Sequence, residues 1–170
     1  MSEEQYGIDI EHAHQKAKEL IPEEFFWSCI DELAPFGSDE GDMALAEYRD
    51  WRKQNPHTPT IECLRWVIEG VGEIDFAEYN SSLLNRDKIK EAIEDDDFDD
   101  NQYIYTLDSS VIATGFAQLV DEGIIEAANK PLIQIAIDRQ KIWAALAEDW
   151  EYSEQYVSNL NTLERALKAA

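Results

Sequence analysis

Carboxylates are the side chains of this sequence with the numbers and the spacing to do chemistry. The run Asp97-Phe98-Asp99-Asp100-Asn101-Gln102 leads on to Asp108. Counted from Asp97, acids or amides fall at positions 1, 3, 5 and 12 of a calcium-binding loop: Asp97, Asp99, Asn101 and Asp108. The pattern breaks at position 6, where Gln102 replaces the glycine of the sharp turn, and at position 12, where Asp108 is shorter than the usual bidentate glutamate. Asp108 is also wanted as the cap of a helix starting there. A second group, Asp39, Glu40 and Asp42, offers hard oxygen ligands of the kind Mg²⁺ and Ca²⁺ prefer. No metal site is assigned. Asp39, Asp42, Asp97, Asp99, Asn101 and Asp108 are the candidates, beside the plainer readings of a capped turn and a solvated acidic loop.

Other chemistries find less. His12 and His14 are two residues apart, so on a helix they point about 200° away from each other and make a poor metal pair. Cys29 and Cys63 lie in apolar surroundings with no Cys/His signature; both read as buried thiols, with a bridge between them left open. The turn Pro35-Phe36-Gly37-Ser38-Asp39-Glu40-Gly41-Asp42 is no phosphate loop, since no Lys follows and its carboxylates repel an anion. Hydrolase, metalloprotease and dinucleotide motifs are absent from the sequence, so no catalytic residue is assigned and no cofactor is implied. Arg139 stands alone among apolar neighbours. It is expected to snorkel or to pair with a buried carboxylate, the alternative being an anionic ligand.

The balance of charge sets the class of partner. There are 37 acidic residues against 14 Lys and Arg, a formal net charge of −23, and the acids are distributed along the whole chain. Such a surface repels DNA, RNA and anionic membranes and attracts basic proteins. Its densest part is residues 94–100, six acids in seven positions. Glu91 and Glu94 share a helical side that leads into Asp95, Asp96, Asp97, Asp99 and Asp100, and this strip is the expected partner-binding site. The first functional reading is an acidic interaction protein holding a basic partner, as an inhibitor or immunity protein does, or as a DNA mimic does. The alternative is a divalent-cation-dependent enzyme or a weak Ca/Mg-binding protein in which the two acidic clusters meet. A third is a helical subunit that pairs with itself.

The positioning elements are helical. Residues 131–150 carry Leu132, Ala136, Arg139, Trp143, Leu146 and Trp150 at alternating spacings of four and three, one stripe of an α-helix begun by Pro131. This apolar segment is expected to be the central helix of an all-α, single-domain, multi-helix bundle over residues 1–170. Further helices are predicted over 9–20, 39–54 (capped by Ser38 or Asp39), 59–69 (capped by Thr58 with Pro59 in the first turn, ended by Gly70 and Gly72), 85–94, 108–122 (ended by Gly123) and 153–168. Residues 23–33 continue helically or as a tight turn with Phe26, Trp27 and Ile30 inward; 94–100 reads as loop and 103–107 as extended chain. No run of about 18 apolar residues occurs, and the acidic N-terminus lacks the apolar core of a signal peptide, so a cytoplasmic protein is expected.

The stretches His14-Gln15-Lys16-Ala17-Lys18, Phe25-Phe26-Trp27, Pro35-Phe36-Gly37-Ser38-Asp39-Glu40-Gly41 and Trp51 resemble the bacterial YfeS-like proteins, most clearly over residues 12–52. Gln15 departs from that family's proline. The resemblance implies a bacterial cytosolic protein with a shared fold and carries no activity over to this chain.

Like charges crowded onto one folded surface repel, and salt screens them. The melting temperature is expected to rise between low and moderate NaCl; an unchanged or lower value would count against this.

Overall fold

The structure is a computed structural model that describes residues 7–94, 98–147 and 150–170, with backbone alone for 98–102. Seven α-helices succeed one another: α1 (Gln15–Leu20), α2 (Asp39–Gln54), α3 (Ile61–Gly72), α4 (Arg86–Glu94), α5 (Phe98–Glu122), α6 (Lys130–Leu146) and α7 (Ser153–Ala169). Short 3-10 turns at Ile10–His12, Glu24–Trp27, Phe76–Glu78, Ser81–Leu84 and Ala127–Asn129 fill the connections, and no strand occurs among the described residues. The chain is an all-α multi-helix bundle, as its periodicity predicts.

Local chemistry explains most of the boundaries. Ser38 Oγ accepts from Gly41 N at 3.1 Å and starts α2, whose first turn holds Asp39, Glu40 and Asp42 and whose last holds Arg52 and Lys53. Both sets of charges suit the helix dipole. Helix α3 runs through Gly70 and Gly72, expected as its stops, and ends where Glu73 takes a left-handed conformation with φ 53°. Gly123, at φ 81°, ends α5 as expected. Helix α6 ends at Leu146, so Trp150 is not on its stripe but in the following turn. The segment 23–33 gives one 3-10 turn and then bends. Phe26 is fully buried, whereas Ile30, expected inward, is 85 % exposed.

The largest departure is α5. It runs unbroken for 25 residues through the stretch read as loop, extended chain and a new helix. Residues 111–120 are buried without exception, whereas Tyr103, Tyr105 and Thr106 are half-buried, so the β-like composition of Tyr103-Ile104-Tyr105-Thr106-Leu107 yields to helical continuity with the buried segment that follows. Helix α5 packs against α1, α2, α3, α4 and α6, and α6 packs between α5 and α7. The two apolar helices together form the centre.

Helix α2 is tied to the end of α5 by charge. Arg49 forks onto Asp121 at 2.9 and 3.0 Å, and Arg52 forks onto Glu122 at the same distances. Tyr48 donates its hydroxyl to Glu122 from the buried side. Arg52 also donates to the carbonyls of Asn55 and Thr58, fixing the turn that leads into α3. Burial pushes the Glu122 carboxyl up, but the bonds from Arg52 and Tyr48 outweigh it and hold the group below its ordinary 4.5. A depressed carboxyl stabilises the fold fully above that unperturbed value and loses its contribution as pH falls through the lower folded-state value. Acidification through and below about pH 4.5 should therefore cost wild-type stability that Glu122→Gln, weaker at neutral pH, does not lose. Urea unfolding of both chains across that range checks this; parallel acid losses would contradict it.

Candidate functional site

The candidate calcium ligand Asp108 lies in the middle of α5 and is completely buried. Arg139 of α6 forks onto it, Nε to Oδ2 at 2.8 Å and a terminal nitrogen to Oδ1 at 2.9 Å. Tyr79 donates to Oδ1 at 2.7 Å, and Gln140 Nε2 donates to Oδ2 at 3.0 Å. Tyr156 of α7 donates to Gln140 Oε1 at 2.6 Å. Arg139 thus has a buried carboxylate as its partner, one of the two expected arrangements, and Asp108 is not a helix cap. Burial presses the Arg139 guanidinium down, and the charge of Asp108 more than compensates, holding it above its ordinary value and charged.

The calcium-loop reading is corrected on two grounds. Residues 98–108 are α-helical and cannot wrap a cation as a loop does, and Asp108 is occupied by Arg139. Asp97, with Asp95 and Asp96, lies outside the described residues. Asp99 and Asp100 fall in the first turn of α5, and Asn101 follows in the same helix. Glu91 and Glu94 are exposed on α4, with Lys90 3.9 Å from Glu94. Asp39 and Asp42 are exposed in the first turn of α2. Among the described residues, no three His, Cys, Asp or Glu side chains converge to hold a metal ion. His12 pairs with Asp9 at 2.6 Å, and His14 Nδ1 accepts from Lys16 N, capping α1. Cys63 is buried as expected; Cys29 is exposed, because the chain turns outward after Trp27. Both thiols are free.

The carboxylate residues that share one surface feature are Asp31, Glu32, Asp39 and Glu40. They line an open cleft of about 950 Å³ with Tyr105, Trp143, Trp150 and Tyr152. The 28–34 bend is built to hold its place. Ser28 Oγ accepts from Ile30 N and Asp31 N, Asp31 Oδ1 accepts from Leu33 N, and Asn159 of α7 donates to Leu33 O at 3.1 Å. The start of α2 is pressed onto the same bend. A Cβ on Gly37 would lie 2.0 Å from Asp31 O, and one on Gly41 would lie 1.7 Å from Pro35 O, so both positions need glycine for close backbone approach. The opposite wall is aromatic: Trp143 and Trp150 meet edge-to-face at 5.5 Å, Tyr105 lies 5.7 Å from Trp143, and the buried Tyr156 ring backs all three. Burial, with Glu40 and Glu32 nearby, pushes the Tyr105 phenol up. No Lys, Arg or His is among the described residues that line the cleft.

Linear spacing could not show this cleft, since its walls come from residues 29–40, from Tyr105 and from Trp143, Trp150 and Tyr152. The legible signal was local: the two glycines and the acids beside them. No family model, curated protein or solved structure matches the chain.

Removing one member of a buried ion pair strands the other, at a cost of about 3–5 kcal/mol, whereas replacing both by apolar residues is far milder. Asp108→Asn is expected to lose stability on that scale, and Asp108→Leu with Arg139→Met to recover a large part of it, by urea unfolding. A double variant as weak as the sum of both single ones would refute the coupling.

Proposed function

We propose that the protein is an acidic binding module that captures a basic protein partner by complementary charge. The cleft carries this reading: four carboxylate residues and an aromatic wall line it, and no basic side chain is among the described lining residues. Internal pairing of the cations supports it. Arg49, Arg52, Arg65, Lys90, Arg139, Lys141 and Arg165 all lie within 4 Å of the chain's own carboxylates. A net charge of −23 is then presented to a partner with much of the positive charge locally neutralised. The strip of Glu91, Glu94, Asp95, Asp96, Asp97, Asp99 and Asp100 is the second candidate contact, and the cytosolic, YfeS-like assignment belongs to the same proposal.

Affinity capture from lysate of the source cells, washed at low and moderate salt, tests the reading. A basic protein held at low salt and released at higher salt is expected, with retention reduced by neutralising Asp31, Glu32, Asp39 and Glu40 to their amides. The parallel variant with Asp95, Asp96, Asp97, Asp99 and Asp100 changed to Asn reports what the strip adds. Retention insensitive to salt and to both variants would sink the proposal.

A further inference from the structure

The cleft offers two kinds of surface at once, and few groups satisfy both. Carboxylates call for positive charge; the faces and edges of Trp143, Trp150, Tyr105 and Tyr152 call for a flat, weakly hydrated group. An ammonium is a compact, strongly hydrated charge that meets the first demand better than the second. A guanidinium is planar, stacks on aromatic rings and forks onto carboxylates. The chain makes such contacts itself, where Arg65 lies 4.8 Å over the Phe76 ring and Arg139 combines a forked carboxylate with the Tyr79 ring at 5.8 Å. The space, about 950 Å³, far exceeds one guanidinium and accommodates several residues of extended chain. Ile30 stands at the rim, 85 % exposed, and Tyr152 beside it is 52 % exposed, so the mouth is apolar as well as acidic.

We propose that this cleft seats an arginine side chain carried on an extended basic segment of the partner, with its guanidinium against the Trp143–Trp150 wall and its charge facing Asp39, Glu40, Asp31 and Glu32. The inference rests on the capture reading above and adds the identity of the anchoring group. Net negative charge alone does not distinguish arginine from lysine; an aromatic wall does. The exposed first-turn position of Asp39 and the half-buried position of Glu40 allow both to be neutralised without touching the core.

The test uses the full chain and a Gly-Ser peptide carrying paired arginines, with its lysine and citrulline counterparts and free spermidine. Binding is read by tryptophan fluorescence and by protection of Cys29 from a maleimide. Cys29 is exposed on the cleft, whereas Cys63 is buried and its thiol is pushed up to about 12, first by burial, so labelling reports the cleft. The arginine peptide is expected to bind about tenfold tighter than the lysine peptide and to protect Cys29, and the citrulline peptide to do neither. Asp39→Asn with Glu40→Gln, and separately Trp150→Leu, should each remove most of that preference, while Asp50→Asn with Glu78→Gln, at exposed positions that do not line the cleft, should leave it in place. If Trp150→Leu unfolds, the carboxylate variant still decides. Equal binding of arginine, lysine and spermidine, or an arginine preference unmoved by the Asp39 and Glu40 changes, overturns the inference. Salt-sensitive capture of a basic protein that persists beside such a result leaves the broader reading standing; loss of that capture as well removes both.

Discussion

The carboxylate of Asp108 is the constraint on which the rest of this bundle depends. It is fully buried, and it accepts four hydrogen bonds: two from Arg139, one from Tyr79 and one from Gln140. Two oxygens offer about four lone-pair sites, so the group is saturated. Those donors come from two parts of the chain, the connection after α3 and helix α6, and Tyr156 of α7 adds a third through Gln140. The connection after α3, the middle of α5, one turn of α6 and the start of α7 are thereby held at one point. An apolar contact would tolerate sliding by a fraction of a turn; a forked ion pair with no spare acceptor tolerates none.

That constraint reaches the surface through Tyr156. Its hydroxyl is fixed by Gln140, and its ring packs against Tyr105, Trp143 and Trp150. The aromatic wall of the cleft therefore rests on the buried network rather than on loop packing alone. The facing wall is held by Asn159 on the carbonyl of Leu33 and by backbone contacts that only Gly37 and Gly41 permit. Helix α7 supplies both supports, since Tyr156 and Asn159 lie one turn apart on it.

Much of this fold was legible wherever a helix begins or ends with the residues that local chemistry favours. Ser38 and the acids after it announced α2, Gly123 the end of α5, and the spacing of Tyr156, Leu160, Leu163 and Leu167 announced α7. The stripe through Leu132, Ala136 and Arg139 gave α6 and placed an arginine where a buried partner was needed. What could not be read was the identity of that partner. Asp108 before Ser109 and Ser110 has the look of a helix cap, and only tertiary burial makes it a mid-helix anion. The same burial hid the continuity of α5, whose acidic start and aromatic, β-branched second segment each argue locally against helix. Cys29 and Ile30 lie outward, against their apolar sequence context, because Ser28 accepts from the backbone after Trp27 and turns the chain toward solvent. Beyond Gly37, Gly41 and the acids beside them, the cleft had no linear signature, because its chemistry exists only where three distant segments meet.

Charge and shape divide the work in the proposed capture. A field from −23 spread over the whole surface draws any basic protein and raises encounter rates, but it selects poorly and weakens with salt. Aromatic contact acts only at van der Waals range, is little screened, and lengthens the life of the complex once formed. A partner chosen by charge alone would need no flat apolar wall among the carboxylates, and the wall would then be a liability, since Ile30 and Tyr152 leave apolar surface in water. Its placement in the same cleft as the carboxylates makes the two effects act on one group. Long-range attraction delivers the cation to the place where short-range contact can tell a guanidinium from an ammonium.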